Sequence, residues 1–184
     1  RIYAIGLAAA GTTAAVVGGE LLRVWHRGSA PRLSQTNDPL GARSRVDTLL
    51  AVAGDDLDRR VHAKALRIRA ATYDMTGNSP LAEPDYQRAL ELFRELGDEK
   101  ETDHLLVRLA IVARYKGELE RSARLASEAL ERARAGDNRR DEAMALDNLA
   151  MVAFEQGDLE LGLDLVHDSA SVAESIGFSW WRGV

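Results

Sequence analysis

The sequence predicts an all-α repeat, a short solenoid of paired antiparallel helices, and three observations carry that expectation. Hydrophobic residues make up 46% of the 184 positions and charged residues 29%, while aromatics supply only 5% and proline occurs four times. Such an alanine- and leucine-rich composition with few breakers favours helices over a sheet sandwich. Gly77, Gly117 and Gly157 then recur every 40 residues, each between apolar patterns of helical period. Small residues stand in register with them: Ala70, Ala110 and Ala150 seven positions before, Ala89, Ala129 and Ser169 twelve positions after. Small side chains at such positions let two helices approach closely.

The first helix is expected near 2–25. Its stretch 2–19 carries no charge and approaches membrane-spanning length, but alanine, glycine and threonine dominate it, so a small-residue helix packed against its neighbours is the expectation. Residues 26–41 (HRGSAPRLSQTNDPLG) hold two prolines and many turn formers, which predicts a long loop before a second helix near 39–53. Residues 1–56 thus read as an irregular helix pair. The acidic run Gly54 to Asp58 lacks the spacing and closing glutamate of a calcium loop and reads as a turn feeding a helix cap.

Three repeats follow, at 57–97, 98–136 and 137–176, with helices near 57–76, 84–96, 99–116, 119–135, 138–156 and 159–176. Pro84 would cost a backbone hydrogen bond inside a helix begun at Ser79, so that helix should begin near Glu83. In LGDEKE (96–101) and AGDNRR (135–140) a glycine stands where a helix can end and an aspartate where the next can start, and Asp98 with Glu101 forms a capping box. Residues 177–184, with Trp180 and Trp181, read as the start of a severed further repeat. Its uncapped end predicts self-association, and the chain as a whole reads as a segment of a longer protein.

In the first full repeat Ala70, Tyr73, Gly77, Ala82, Tyr86 and Ala89 fill, without a gap, the small, aromatic and glycine positions of a helix-pair motif. The pattern resembles the tetratricopeptide repeat. The 40-residue period and the phrases RALELFRELGDEKE, LVRLAIVARYKGELERSARLASEALERA and ESIGFSWWRG resemble more narrowly the C-terminal repeats of large bacterial LuxR-type or MalT-like regulators and related signal-transducing ATPases. The resemblance implies a right-handed superhelix of about eight helices in a cytoplasmic signalling or transcription-regulatory protein. It also implies that the first helix of each pair lines a concave groove. The groove-facing positions are then Lys64, Arg67, Ala71 and Asp74; His104, Val107, Ile111 and Arg114; and Met144, Asp147, Met151 and Phe154, with Arg108 beside them.

That groove would bind a protein or peptide partner, an effector, or another domain of the same protein, with an apolar floor for anchoring and charges for register. An apolar stripe of this kind also arises where curvature or the preceding pair buries the same residues within the chain. Arg67, Arg108 and Arg114 could accept a carboxylate, although the lysine and asparagine clamp of some tetratricopeptide domains is not reproduced. A hidden small-molecule or catalytic pocket and a purely structural spacer are the rival readings.

Other function classes find little support. Cysteine is absent, which excludes disulfides and thiolate chemistry. The four histidines, at 26, 62, 104 and 167, form no i, i+4 pair, and no phosphate-binding, dinucleotide or nucleophile-elbow motif occurs. No metal, cofactor or catalytic residue is expected. Residues 1–80 carry 11 basic and 7 acidic side chains and residues 81–184 carry 13 and 22, a net of +4 against −9. So acidic a C-terminal half is a poor surface for a phosphate backbone, and direct binding to nucleic acid or to a membrane is not expected.

Overall fold

The computed structural model describes residues 38–53 and 57–177. These form seven α-helices: α1 (Pro39–Ala53), α2 (Arg59–Met75), α3 (Glu83–Glu95), α4 (Glu99–Tyr115), α5 (Leu119–Ala135), α6 (Arg139–Gln156) and α7 (Leu159–Ser175). A single 3-10 turn, Ser79–Ala82, leads into α3, and Pro84 stands in the first turn of that helix, where its missing N–H costs nothing. Each helix packs on the next, and α4 also packs directly on α6. Among the described residues no strand occurs and no helix is long and apolar enough to cross a membrane. The apolar run 2–19, most of the loop at 26–41, and Trp180 and Trp181 lie outside the described residues.

The helices are joined on a shorter beat than the sequence suggested. Left-handed backbone occurs at Gly77, Gly97, Gly117, Asp137, Gly157 and Gly177, every 20 residues. At each of the five turns whose following residue is described, that N–H returns to the carbonyl four residues before the left-handed position, as from Asp98 to Phe93 at 2.9 Å and from Asn138 to Ala133 at 2.8 Å. Asp137, with φ 51°, is the exception in residue type. Gly136 ends α5 as expected, but the expectation that Asp137 starts α6 is corrected. Gly136 has φ −91° as the last capping residue, Asp137 takes the strained position, and Asn138 caps α6 by accepting from the Asp141 N–H at 3.3 Å.

Asp58, Asp98 and Asp158 cap their helices in the same manner, through side-chain oxygens that accept amide hydrogens of the first turn. Only half of the box at Asp98 forms. Asp98 accepts from the Glu101 N–H at 3.4 Å, but its own N–H is taken by Phe93, and the Glu101 carboxylate turns instead to Arg67 on α2. A tertiary partner wins over the local one.

The main core lies among α2, α3 and α4, filled by Tyr86, Phe93, Leu105, Leu106 and Val107, and extends to Ala129 and Met144. Ala70, Ala110 and Ala150 are fully enclosed, as are Ala89 and Ala129, and Ser169 is buried. Where serine replaces alanine, its hydroxyl is spent on a carbonyl across the helix contact: Ser122 donates to Ala110 at 2.8 Å and Ser169 to Ala143 at 2.9 Å. Gly162 answers a different demand, since a Cβ there would lie 2.3 Å from the Phe154 ring.

Candidate functional site

The helices α2, α4 and α6 are separated in sequence but tied together by polar side chains. Arg60 on α2 pairs with Asp98, and Arg67 Nε lies 3.2 Å from Glu101 Oε2. On α4, His104 Nδ1 is 3.0 Å from Asp141 Oδ1 of α6, and Arg108 Nε donates to His104 Nε2 at 3.5 Å. Arg114 Nε donates to Asn148 Oδ1 at 3.2 Å and its Nη1 reaches Glu155 at 2.8 Å. Asn148 continues inward to Ser122 at 2.9 Å, and Ser122 to the Ala110 carbonyl, so one buried network joins α4, α5 and α6.

Near the first turns of α4 and α6 these side chains surround a cleft of about 340 Å³. Arg67, Lys100, Glu101 and His104 line one side, with Asn138, Arg140 and Asp141 on the other. No apolar side chain lines it, so it suits polar groups and not a greasy ligand. Of its seven residues only Arg67 and His104 stood among the sequence candidates. The others look like ordinary polar helix starts, and the one available signal was the capping sequence itself, which places Glu101 and Asp141 at the third position of each helix.

The remaining candidates divide into two groups. Val107 is fully enclosed and Met144 is 8% exposed, so both belong to the core and neither offers an open surface. Most of the apolar circumference of α4 is accounted for in the same way: Leu105, Leu106, Leu109, Ala110, Val112 and Ala113 are buried, because α3, α5 and α6 all pack against this helix. Lys64, Arg67, Ala71, Asp74, His104, Arg108, Ile111, Arg114, Asp147, Met151 and Phe154 are half-buried. Phe154 lies over Gly162 of α7 and fills the joint between α6 and α7.

Two buried polar atoms on this face lack a hydrogen-bond partner, Arg67 Nε and Asp74 Oδ1, and both are on α2. The contact from Arg67 to Glu101 is close enough for an ion pair but wrongly angled for a hydrogen bond. The other Asp74 oxygen accepts from the Tyr86 hydroxyl at 2.6 Å. Burial pushes the Tyr86 hydroxyl far above its ordinary range, and the adjacent Asp74 charge pushes it further, so it is held as a donor.

Asp147 on α6 is the other anomaly. Burial raises the pKa of its carboxyl, the Arg114 charge offsets part of that rise, and no hydrogen bond to Asp147 is made among the described residues. Arg114 is committed elsewhere, to Asn148, to Glu155 and to the Tyr115 ring 4.7 Å away.

No protein-family model matches the chain, and no curated protein matches it either.

Proposed function

We propose that the chain is a protein-interaction scaffold, a right-handed superhelix of antiparallel pairs of the tetratricopeptide kind that presents α2, α4 and α6 to a peptide or a partner domain. The observation that carries the reading is the lateral stitching of these three helices around a polar cleft, on helices that also carry the half-buried apolar side chains Ile111 and Met151. Peptide-binding faces combine such apolar anchors with polar groups that set register. The 20-residue beat of left-handed turns supports the pairing of helices. In this reading the chain works in the cytoplasm as a regulatory segment of a larger bacterial signalling or transcription-regulatory protein, without a catalytic step, a cofactor, or direct contact with nucleic acid or membrane.

The test is selection of peptides from a random display library on the purified chain. Selected peptides should lose binding to Arg108→Glu and Met151→Lys variants that retain the helical circular-dichroism spectrum, and should bind normally to Glu128→Gln on α5. No enrichment, or binding indifferent to both α4 and α6 variants, contradicts the proposal.

Self-association is a second element of the reading. Leu159, Leu161 and Leu163 on α7 are 64%, 49% and 64% exposed, although α7 buries only Gly162, Ser169 and Ala173. So much apolar surface at the start of one helix suits a second copy of the chain. Sedimentation velocity should show a dimer that Leu159→Glu with Leu163→Glu converts to monomer, and a wild-type monomer at high concentration overturns it.

A further inference from the structure

We propose that the polar cleft at the first turns of α4 and α6 is a subsite for a phosphomonoester, its oxygens taken by Arg67, Lys100 and Arg140. The proposal rests on the reading of α2, α4 and α6 as the binding face and gives that face a chemical preference. The chain's own repeat supplies the comparison. Arg60, Lys100 and Arg140 stand 40 residues apart, each at the second position of its helix. Where α2 meets α4, Arg60 pairs with the carboxylate of Asp98, the residue that caps α4. Where α4 meets α6, the corresponding cap is Asn138, which does the same capping but carries no charge. Lys100 thus lacks the counter-ion that Arg60 has, and it makes no ion pair among the described residues.

The cleft, of about 340 Å³, sets those three cations against two carboxylates, Glu101 and Asp141. Both carboxylates are engaged within the chain. Asp141, almost fully enclosed, lies 3.0 Å from His104 Nδ1 and accepts from Asn138 Nδ2 at 2.7 Å, and Glu101 Oε2 lies 3.2 Å from Arg67 Nε. That last contact is an ion pair only, so the enclosed Arg67 Nε is left without an acceptor. Lys100 and Arg140 are exposed at the rim. An incoming group therefore meets surplus donors and, with His104 neutral, an excess of one positive charge, which suits an oxyanion. The cations come from three helices, α2, α4 and α6. A phosphomonoester has three free oxygens, one for each, whereas a planar carboxylate has two and is already matched by a single guanidinium.

The probe is Nα-acetyl-phosphoserine amide, with Nα-acetyl-aspartate amide as its carboxylate counterpart, each titrated into the isotope-labelled chain and read from backbone amide shifts. The phosphoserine compound should shift the amides of 99–104 and 138–141 saturably, and bind about tenfold or more tightly than the aspartate compound. Lys100→Gln, at the exposed rim, should weaken it about tenfold. Asn138→Asp, which restores the carboxylate found at Asp98, should weaken it as much while keeping the helical circular-dichroism spectrum, and Glu128→Gln on α5 should bind as the wild type does. Glycerol phosphate separates the two sources of the group. Tighter binding of the phosphoserine compound supports the subsite and gives the phosphate to a partner's side chain, and tighter binding of glycerol phosphate supports it and gives the phosphate to a small effector. No saturable shift, equal binding of the aspartate compound, shifts centred on other helices, or an undiminished response in either variant overturns the assignment. Display-selected peptides that need Met151, while the phosphate probes leave the cleft unmoved, also overturn it and leave the peptide-binding reading standing.

Discussion

The α2–α3 pair and the α4–α5 pair occupy equivalent places in the 40-residue repeat, yet they are held together differently. Tyr86 and Phe93 fill the first pair, and the residues 40 positions on are Ala126 and Ala133, all four fully enclosed. The polar groups change with the packing. Asp74 accepts from Tyr86 within its own pair, whereas its counterpart Arg114 reaches forward to Asn148 and Glu155 on α6. Alanine contacts bury little area per residue and bring helices close, so the second pair takes its fixity from its neighbour through the Arg114–Asn148–Ser122 network. An aromatic-filled pair is closer to self-sufficient. The same repeat can thus be fixed from within or from the side.

The largest expected effect breaks the aromatic pair. Phe93→Ala should cost about 3–5 kcal/mol, read as a fall in the urea midpoint, while Ala133→Gly at the equivalent site should cost about 1 kcal/mol. Comparable losses at the two sites would contradict the contrast. Next, Asn148→Ala should cost about 1–3 kcal/mol by removing one partner each of Arg114 and Ser122 inside the buried network. A double-mutant cycle with Ser122→Ala should show coupling of at least about 0.5 kcal/mol. Additive losses would mean that the network carries no weight.

How much of this was legible in the sequence depends on whether the competing forces were local. Gly77, Gly117 and Gly157 mark the helix ends, and Asp58 and Asp98 announce caps, because each acts on its own backbone. Asp137 was misread as a helix start because aspartate is a common cap, whereas Asn138, one position later, does the capping and Asp137 takes the left-handed position. Glu101 was misread because Arg67, distant in sequence, outcompetes the cap it was expected to close. Val107 was placed in a groove although α4 is covered on several sides, which its own periodicity cannot report. The cleft was half visible for the same reason: His104 and Arg67 could be named, but the helix-start residues facing them acquire meaning only when α4 and α6 meet.

Two smaller predictions sharpen the comparison at the joints between pairs. Asp137→Gly should stabilise the protein by about 0.5–1 kcal/mol, since glycine takes a positive φ without the Cβ penalty; thermal unfolding reads the gain, and a loss would mean that the Asp137 side chain has a structural role of its own. Glu83, at the start of α3, meets Lys116 and Arg121 at 2.7 and 2.6 Å. Burial alone would raise its pKa, but the hydrogen bonds and charges of those two cations outweigh it and hold the carboxyl below its usual 4.5. A lowered folded pKa contributes stability above the unfolded value, and that contribution is lost as pH falls through the folded value. Glu83→Gln should therefore flatten the acid limb of the stability curve below about pH 4.5. An acid limb identical to wild type would show that the ion pairs of Glu83 add nothing.

In the proposed function one face, built by α2, α4 and α6, receives the partner. Hydrogen exchange of the chain with and without a display-selected peptide tests it most directly, because helix-by-helix protection reports where binding stabilises the backbone. Added protection should concentrate in 59–75, 99–115 and 139–156. Protection confined to α3, α5 and α7 would contradict the claim.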